Sequence, residues 1–387
     1  MQDLLFTPGP VAVPQPVLDE LAKPIIHHRT KAFQAIFADL NRQLQQLFGT
    51  TGPVLSIAGS GTTSYEAAQL CLATPNSTVI SVAGGKFGER WQDIYDVYAP
   101  YLNLTNIKIS HDWGAPAPLD QIEAALAEND NVSAIAVVHS ETSTATATDI
   151  QAIAELTRNH PTALLIVDGI TSVGAFPCPM DEWGIDCLVT GSQKAMMLPP
   201  GLGYVGLGPR ALARLENISH QLPGYNLDLR KWVKAHAKDD VPFTPPVSLI
   251  RAQHVALKLI LEGEGGLAGQ HQRTQSLAAA TRAALQAANL KLISSSPSDS
   301  VTGAYYPDGL TDDARKTIRD TFGVHLAGGQ DGRGAKWKGK IFRISHMGDV
   351  DPSKTRTALD AIFKTFHDSG HDCDPATALA TFDAAPA

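Results

Sequence analysis

Hydrophobic and polar positions divide the chain into stretches with different periods. Between Lys31 and Phe48, the residues Phe33, Ile36, Phe37, Leu40, Leu44 and Leu47 recur at helical spacing, and Gly49 follows as a stop. An alternation begins after it. Strand-like runs fall at 54–58, 78–83, 106–110, 134–138, 163–167 and 187–190, and helix-like runs at 64–72, 89–98, 119–128 and 150–159. Runs such as AIAVV and ALLIV show no polar alternation, which suits strands covered on both faces. The pattern predicts an α/β fold with a mainly parallel sheet between helices.

The period changes after Gly208. Residues 251–288 are helical in composition, with an interruption at 263–269. LKLISS, a VTGAYYP strand, a helix over 312–322, a KIFRIS strand and a helix over 353–366 follow. These predict a smaller C-terminal α+β domain. We expect an N-terminal segment over 1–22, a large domain over 23–262, a small domain over 263–372 and a tail over 373–387. Pro8, Pro10, Pro14, Pro16 and Pro24 should keep the start extended. The weakly patterned tail should fray.

Composition narrows the function classes. With 43% hydrophobic residues among 387, the chain can bury a sizeable core. A net charge of −8 without a long basic run argues against nucleic acid or an anionic membrane as partner. Apolar runs of about 5–8 residues are far short of the ~20 needed to cross a bilayer. The start, MQDLLFTPGP, is not a signal peptide. Cys71, Cys178, Cys187 and Cys373 are isolated, as expected of reduced thiols in a cytoplasmic protein.

Ligands of open α/β sheets bind beyond the carboxyl ends of the strands, so the residues there are the candidates. Gly59-Ser60-Gly61-Thr62-Thr63 can offer backbone N–H groups and a helix N-terminus to an anion, or be an ordinary turn. Phe87 can stack on a flat ring or fill the core. His139-Ser140-Glu141-Thr142-Ser143-Thr144 gathers hydroxyls. Asp168 closes a buried strand, which is unfavourable without a cation or strong donor. In TGSQKAMMLPPG, Lys194 stands where a strand ends among apolar residues; withdrawn from water, its amine becomes a nucleophile. Pyridoxal phosphate asks for each of these: a phosphate cradle, a stacking ring, hydroxyls, an acid for the pyridine nitrogen and an amine for the aldehyde.

AGSGTTSYEAA, HSETSTAT, VDGITSVG, GSQKAMMLPPG and KIFRISHMG together resemble the class V branch of the fold-type I pyridoxal-phosphate aminotransferases, closest to the alanine–glyoxylate and serine–glyoxylate (serine–pyruvate) group. The resemblance runs from TPGP to KIFRIS, and GSQKA after VDG is its most specific part. It implies that Ser60, Gly61, Thr62 and Gln193 hold the cofactor phosphate and that Phe87 stacks on the ring. It implies that Ser143 lies near the phenolic oxygen or the substrate carboxylate and that Asp168 pairs with the pyridine nitrogen. Lys194 would carry the cofactor as an imine, and Arg343 would clamp the substrate carboxylate, with Gly9 in the substrate pocket. Thr244 would reach the phosphate of a partner subunit, making a homodimer with shared active sites.

Two departures stand out. Val241 occupies a place where relatives carry a tyrosine that touches phosphate, and Ala145 stands where glycine is common. His367, His371 and Cys373 lack a fourth ligand, so no metal site is expected. The implied reaction is transamination between alanine or serine and glyoxylate or pyruvate. Arg333, Lys336, Lys338 and Lys340 leave open a dicarboxylate such as aspartate, or a phosphonate or phosphate-bearing amine. A cysteine desulfurase would need a cysteine near 320–345, which is absent. A non-catalytic subunit would have no need of Lys194, Asp168 and Arg343 together.

Overall fold

The structure, a computed structural model, describes residues 3–385. Its centre is a seven-stranded sheet. Across it the strands are Val54–Gly59, Gly201–Leu207, Cys187–Gly191, Leu164–Asp168, Val132–Val138, Thr78–Ala83 and Thr105–Ser110. All neighbours are parallel except Gly201–Leu207, which is antiparallel to both strands beside it. Alternate residues feed two different cores. Ile80, Ile135, Leu165 and Leu188 pack on one face, and Val79, Ala134, Leu164 and Val189 on the other. This explains why these strands show no regular alternation of polar positions.

The hydrophobic pattern does not reveal the strand Gly201–Leu207, because its three glycines look like a loop. The helix Gly61–Leu72 accounts for one of them. A Cβ on Gly203 would collide with the Ser64 hydroxyl and the Ser60 carbonyl, so the helix approaches the sheet only over a bare backbone.

The C-terminal part is a three-stranded antiparallel sheet, Val301–Tyr305, Ile341–Ser345 and Ala327–Gly328. The helices Gly266–Ala287, Asp312–Phe322 and Pro352–Asp368 pack with it around Phe342, Phe363 and Phe366. The start of the chain also belongs to this region. Leu4–Leu5 pairs with Val324–His325, Phe6 is fully buried in the same core, and Ser345 N–H donates to the Phe6 carbonyl at 2.8 Å.

Two expectations fail here. The first 22 residues are not uniformly extended: Gln15–Leu21 is a helix, with Pro16 in the first turn, where no N–H is needed. The tail does not fray either. Pro375–Asp383 is a helix capped by Asp374, whose carboxylate accepts from Ala376 N–H at 3.0 Å. Ala378, Leu379 and Phe382 are buried in the C-terminal core. His367 and His371 hold this turn through the carbonyls of Cys373 (3.0 Å) and Ala288 (2.8 Å).

A loop over 329–340 ties the two halves together. Arg333 donates its backbone N–H to Glu89 at 2.7 Å and its guanidinium to Gln92 at 2.9 Å, and pairs with Asp93. Trp337 meets Trp113 edge to face at 5.4 Å. Among the described residues no helix is long and apolar enough to cross a membrane.

The buried tail face has a measurable weight. Phe382→Ala should lower unfolding free energy by about 3 kcal/mol in urea denaturation; an unchanged midpoint would mean that the tail helix adds nothing to the core.

Candidate active site

One cleft at the carboxyl ends of the strands is lined by Ser60, Gly61, Thr62, Phe87, Asp168, Gln193 and Lys194, together with Arg90, Ser140, Thr142, Ile170 and Thr171. Seven residues expected from the sequence therefore converge. The helix Gly61–Leu72 opens on it with a capping box: Thr63 N–H donates to Ser60 Oγ at 3.4 Å, and Ser60 N–H donates to Thr63 Oγ1 at 3.2 Å. The N–H groups of Gly61 and Thr62 stay free of intrahelical partners, as the first turn of any helix requires. That is an anion cradle.

Lys194 lies in the turn after Cys187–Gly191 and is 9% exposed. The N-terminal strap covers it. Its Nζ donates to the Pro8 carbonyl, and a Cβ on Gly9 would run into the lysine side chain. Val11 N–H donates to the Gln193 carbonyl at 3.2 Å and pins the strap. Burial pushes the amine down to about 8, with Arg343 adding to the effect and Asp168 opposing it.

Asp168 ends the neighbouring strand. Its Oδ2 accepts from Trp91 Nε1 and its Oδ1 from Ile170 N–H, both at 2.8 Å. Burial nonetheless raises the carboxyl to about 7. Trp91 is itself held flat against Tyr65, with ring centroids 3.8 Å apart.

Arg343 is 4% exposed and donates to the carbonyls of Gly328 (3.1 and 2.7 Å) and Thr142 (2.7 Å). Burial pushes it down to about 10, and Glu141 opposes that. Among the described residues no carboxylate forms a salt bridge with it. A buried cation held by neutral carbonyls alone is poised for an anion.

Besides Arg343, three expected residues stand apart from the cleft lining. Ser143 is fully buried behind it, donating to Glu141 at 2.6 Å and accepting from Lys86 N–H at 2.9 Å. The hydroxyls of this stretch at the cleft belong to Ser140 and Thr142. Gly9 reaches the site through the strap. Thr244 is exposed on a loop, and Val241 is buried in the core of the large sheet. Ala145 adopts φ 52°, a backbone conformation that glycine enters more easily.

Sequence reasoning missed Arg90, Trp91 and Glu141. Arg90 and Trp91 follow Phe87 at helical spacings of three and four, which places all three on one side of a helix. Glu141 accepts from the N–H groups of Phe87 (3.1 Å) and Gly88 (3.0 Å), fixing the helix that presents Phe87. An acid amid the hydroxyls of HSETSTAT was the signal for it.

Residues 4–335 match the aminotransferase class-V family. The chain belongs to that family, and its reaction class is transamination. It is 39% identical over 96% of its length to the soluble hydrogenase small subunit of Synechococcus sp. (strain PCC 6716), covering 95% of that protein. It is 33% identical to the L-aspartate–glyoxylate aminotransferase of Paracoccus denitrificans, covering 90% of this chain and 87% of the relative. With the serine–glyoxylate aminotransferase of Methylorubrum extorquens it shares 32%, covering 97% and 94%. The crystal structure of pyridoxamine-pyruvate aminotransferase from Mesorhizobium loti superposes with a TM-score of 0.91 at 26% identity, covering 99% of this chain and 97% of that one. The fold is that of the fold-type I aminotransferases.

Burying Lys194 has a pH signature. Its folded value is lowered, so the penalty is complete below pH 8 and vanishes as pH rises to the ordinary 10.5. Removing it should gain about 3 kcal/mol at pH 7, less about 1 for the lost bond to Pro8. Cofactor-free Lys194→Met should therefore unfold at higher denaturant than the parent at pH 7, with the gap closing near pH 10. A gap independent of pH would contradict the buried ammonium.

Proposed function

We propose that the chain uses pyridoxal 5'-phosphate to exchange an amino group between a small amino acid, alanine or serine, and a 2-oxo acid, glyoxylate or pyruvate. We further propose a cytoplasmic homodimer with shared active sites. The observation that carries the assignment is the convergence of a desolvated amine, Lys194, and a desolvated carboxyl, Asp168, in one cleft. The donor set fits the cofactor. Gln193 lines the same end of the cleft, its Oε1 buried without a hydrogen-bond partner, and the NH2 end of this amide is the part that can donate to an anion. The exposed Thr244 is free to meet a second subunit, and four free cysteines suit a reducing compartment.

When bound, the cofactor supplies an aldehyde that captures amines and a ring that draws electrons from the captured amino acid. The chain does the rest. Lys194 would provide the amine that holds the cofactor, and its Nζ, when free, would be a base suited to neutral pH for moving the substrate's Cα proton. Asp168, aimed by Trp91 and Ile170, would offer its carboxylate to the ring nitrogen and help keep a proton there. Phe87 presents a flat face. Arg343 gives the substrate α-carboxylate a bidentate partner in place of carbonyls. The strap at Pro8 and Gly9 limits water and the size of the substrate side chain.

Both aminotransferase relatives name glyoxylate, which supports it as acceptor; the named donors differ. A second anion site for aspartate or a phosphonate has little support. Arg333 is engaged by Glu89, Gln92 and Asp93, and Lys336, Lys338 and Lys340 are exposed. No thiol serves a desulfurase: the four cysteines are buried and their thiols pushed up. A relative is named as a hydrogenase small subunit, but the convergence of Lys194 and Asp168 in one cleft favours a catalytic role over a non-catalytic subunit.

Alanine, serine, aspartate and aminoethylphosphonate should be offered as donors against glyoxylate and pyruvate, with half-reactions followed by absorbance. Alanine or serine with glyoxylate should be fastest; a clear preference for aspartate would overturn the donor assignment. Lys194→Ala should abolish turnover with the fold intact, and retained turnover would refute the lysine's role. Arg343→Ala should weaken carboxylate substrates by roughly 2–5 kcal/mol, read as kcat/KM; no change would remove Arg343 from the site.

A further inference from the structure

An uncompensated cation stands at the rim of the cleft. Arg90 is exposed, lines the cleft, and among the described residues forms no salt bridge. Its Nη1 donates to Thr62 Oγ1 at 3.0 Å, and its guanidinium carbon lies 5.0 Å from the centre of the Phe87 ring. Thr62 belongs to the first turn of the helix Gly61–Leu72, whose free N–H groups form the anion cradle. The other groups at that end, Ser60, Thr62 and Gln193, are neutral. Val241 is packed into the core and contributes no polar atom. Within one subunit a dianionic phosphate would thus meet dipoles and hydroxyls, with Arg90 as the cation beside them.

We propose that Arg90 is the phosphate-binding cation of this subunit, and that the same guanidinium braces the ring of Phe87. This rests on the cofactor use proposed above. The planar fork can donate to two phosphate oxygens at once, which an ammonium cannot. Its position against Phe87 adds an attraction between cation and ring that aligns both side chains. The helix Lys86–Leu102 supplies ring and cation three residues apart, and Glu141 anchors its first N–H groups. One helix end therefore sets where the cofactor's ring and its phosphate lie relative to each other.

The test compares two ligands that differ only in the phosphate. Cofactor-free wild type, Arg90→Gln and Arg90→Lys are titrated with pyridoxal 5'-phosphate and with pyridoxal, following absorbance and intrinsic fluorescence. Arg90→Gln should weaken the phosphorylated ligand by a factor of about ten to a hundred and pyridoxal, which loses only the brace on Phe87, by a few-fold at most. Arg90→Lys, which keeps charge but loses the fork, should fall between. Inorganic phosphate should compete less well in Arg90→Gln than in wild type. Equal weakening of both ligands would reduce Arg90 to a prop for Phe87, and no weakening of either would remove it from the site; both overturn the proposal. Borohydride labelling of Lys194 in the same samples separates the two levels. If wild type binds neither ligand and Lys194 is not labelled, the cofactor assignment itself fails; if labelling persists in Arg90→Gln without selective loss, only the phosphate role fails.

Discussion

An amine kept out of water is the constraint around which the molecule is arranged. A lysine ammonium prefers solvent, and Lys194 sits under a proline-rich strap with one carbonyl as its partner. Arg343 worsens its situation and Asp168 relieves it. Asp168 is raised by the same burial that lowers the lysine. These groups stay in place because the sheet beneath them is buried on both faces and cannot yield. A group of opposite charge beside any one of them would relieve the cost of its burial.

Much of the architecture was legible in the chain. The strand Thr78–Ala83 and the helices Lys31–Phe48 and Asp312–Phe322 coincide with the hydrophobic periods, because their burial is one-sided for the helices and two-sided for the strand. The strand Gly201–Leu207 was hidden, since its glycines answer to a helix crossing rather than to the sheet. The helix Pro375–Asp383 was hidden because nine residues give too few repeats to separate a short amphipathic helix from an unpatterned tail. At the site, Lys194 and Asp168 could be read because polar groups closing apolar strands are conspicuous. Ser143 lies behind the cleft while Ser140 and Thr142 line it, because the chain turns after Glu141 and spacing alone does not say which hydroxyl of a turn faces inward. Arg90 and Trp91 need the three-dimensional neighbour relation of a helix to be seen.

The two halves of the chain meet through polar contacts that bear on the site. The loop carrying Arg333 grips the helix that presents Phe87, and the adjoining strand offers the Gly328 carbonyl that holds Arg343. The group expected to hold substrate and the group expected to hold cofactor thus share a mechanical connection outside the cleft. Family membership fixes the reaction class; this connection is a property of the chain's own packing.

The opening residues are stitched into both halves. Leu4, Leu5 and Phe6 are anchored in the C-terminal core, while Pro8, Gly9 and Val11 rest on the lysine turn of the large sheet. Sequence distance between these anchors is only a few residues, so the strap has little slack. Any shift of the C-terminal sheet and its helices is transmitted as a tug on the carbonyl that engages the Lys194 amine, and a substitution at Phe6, remote from the cleft, acts on that nitrogen by leverage.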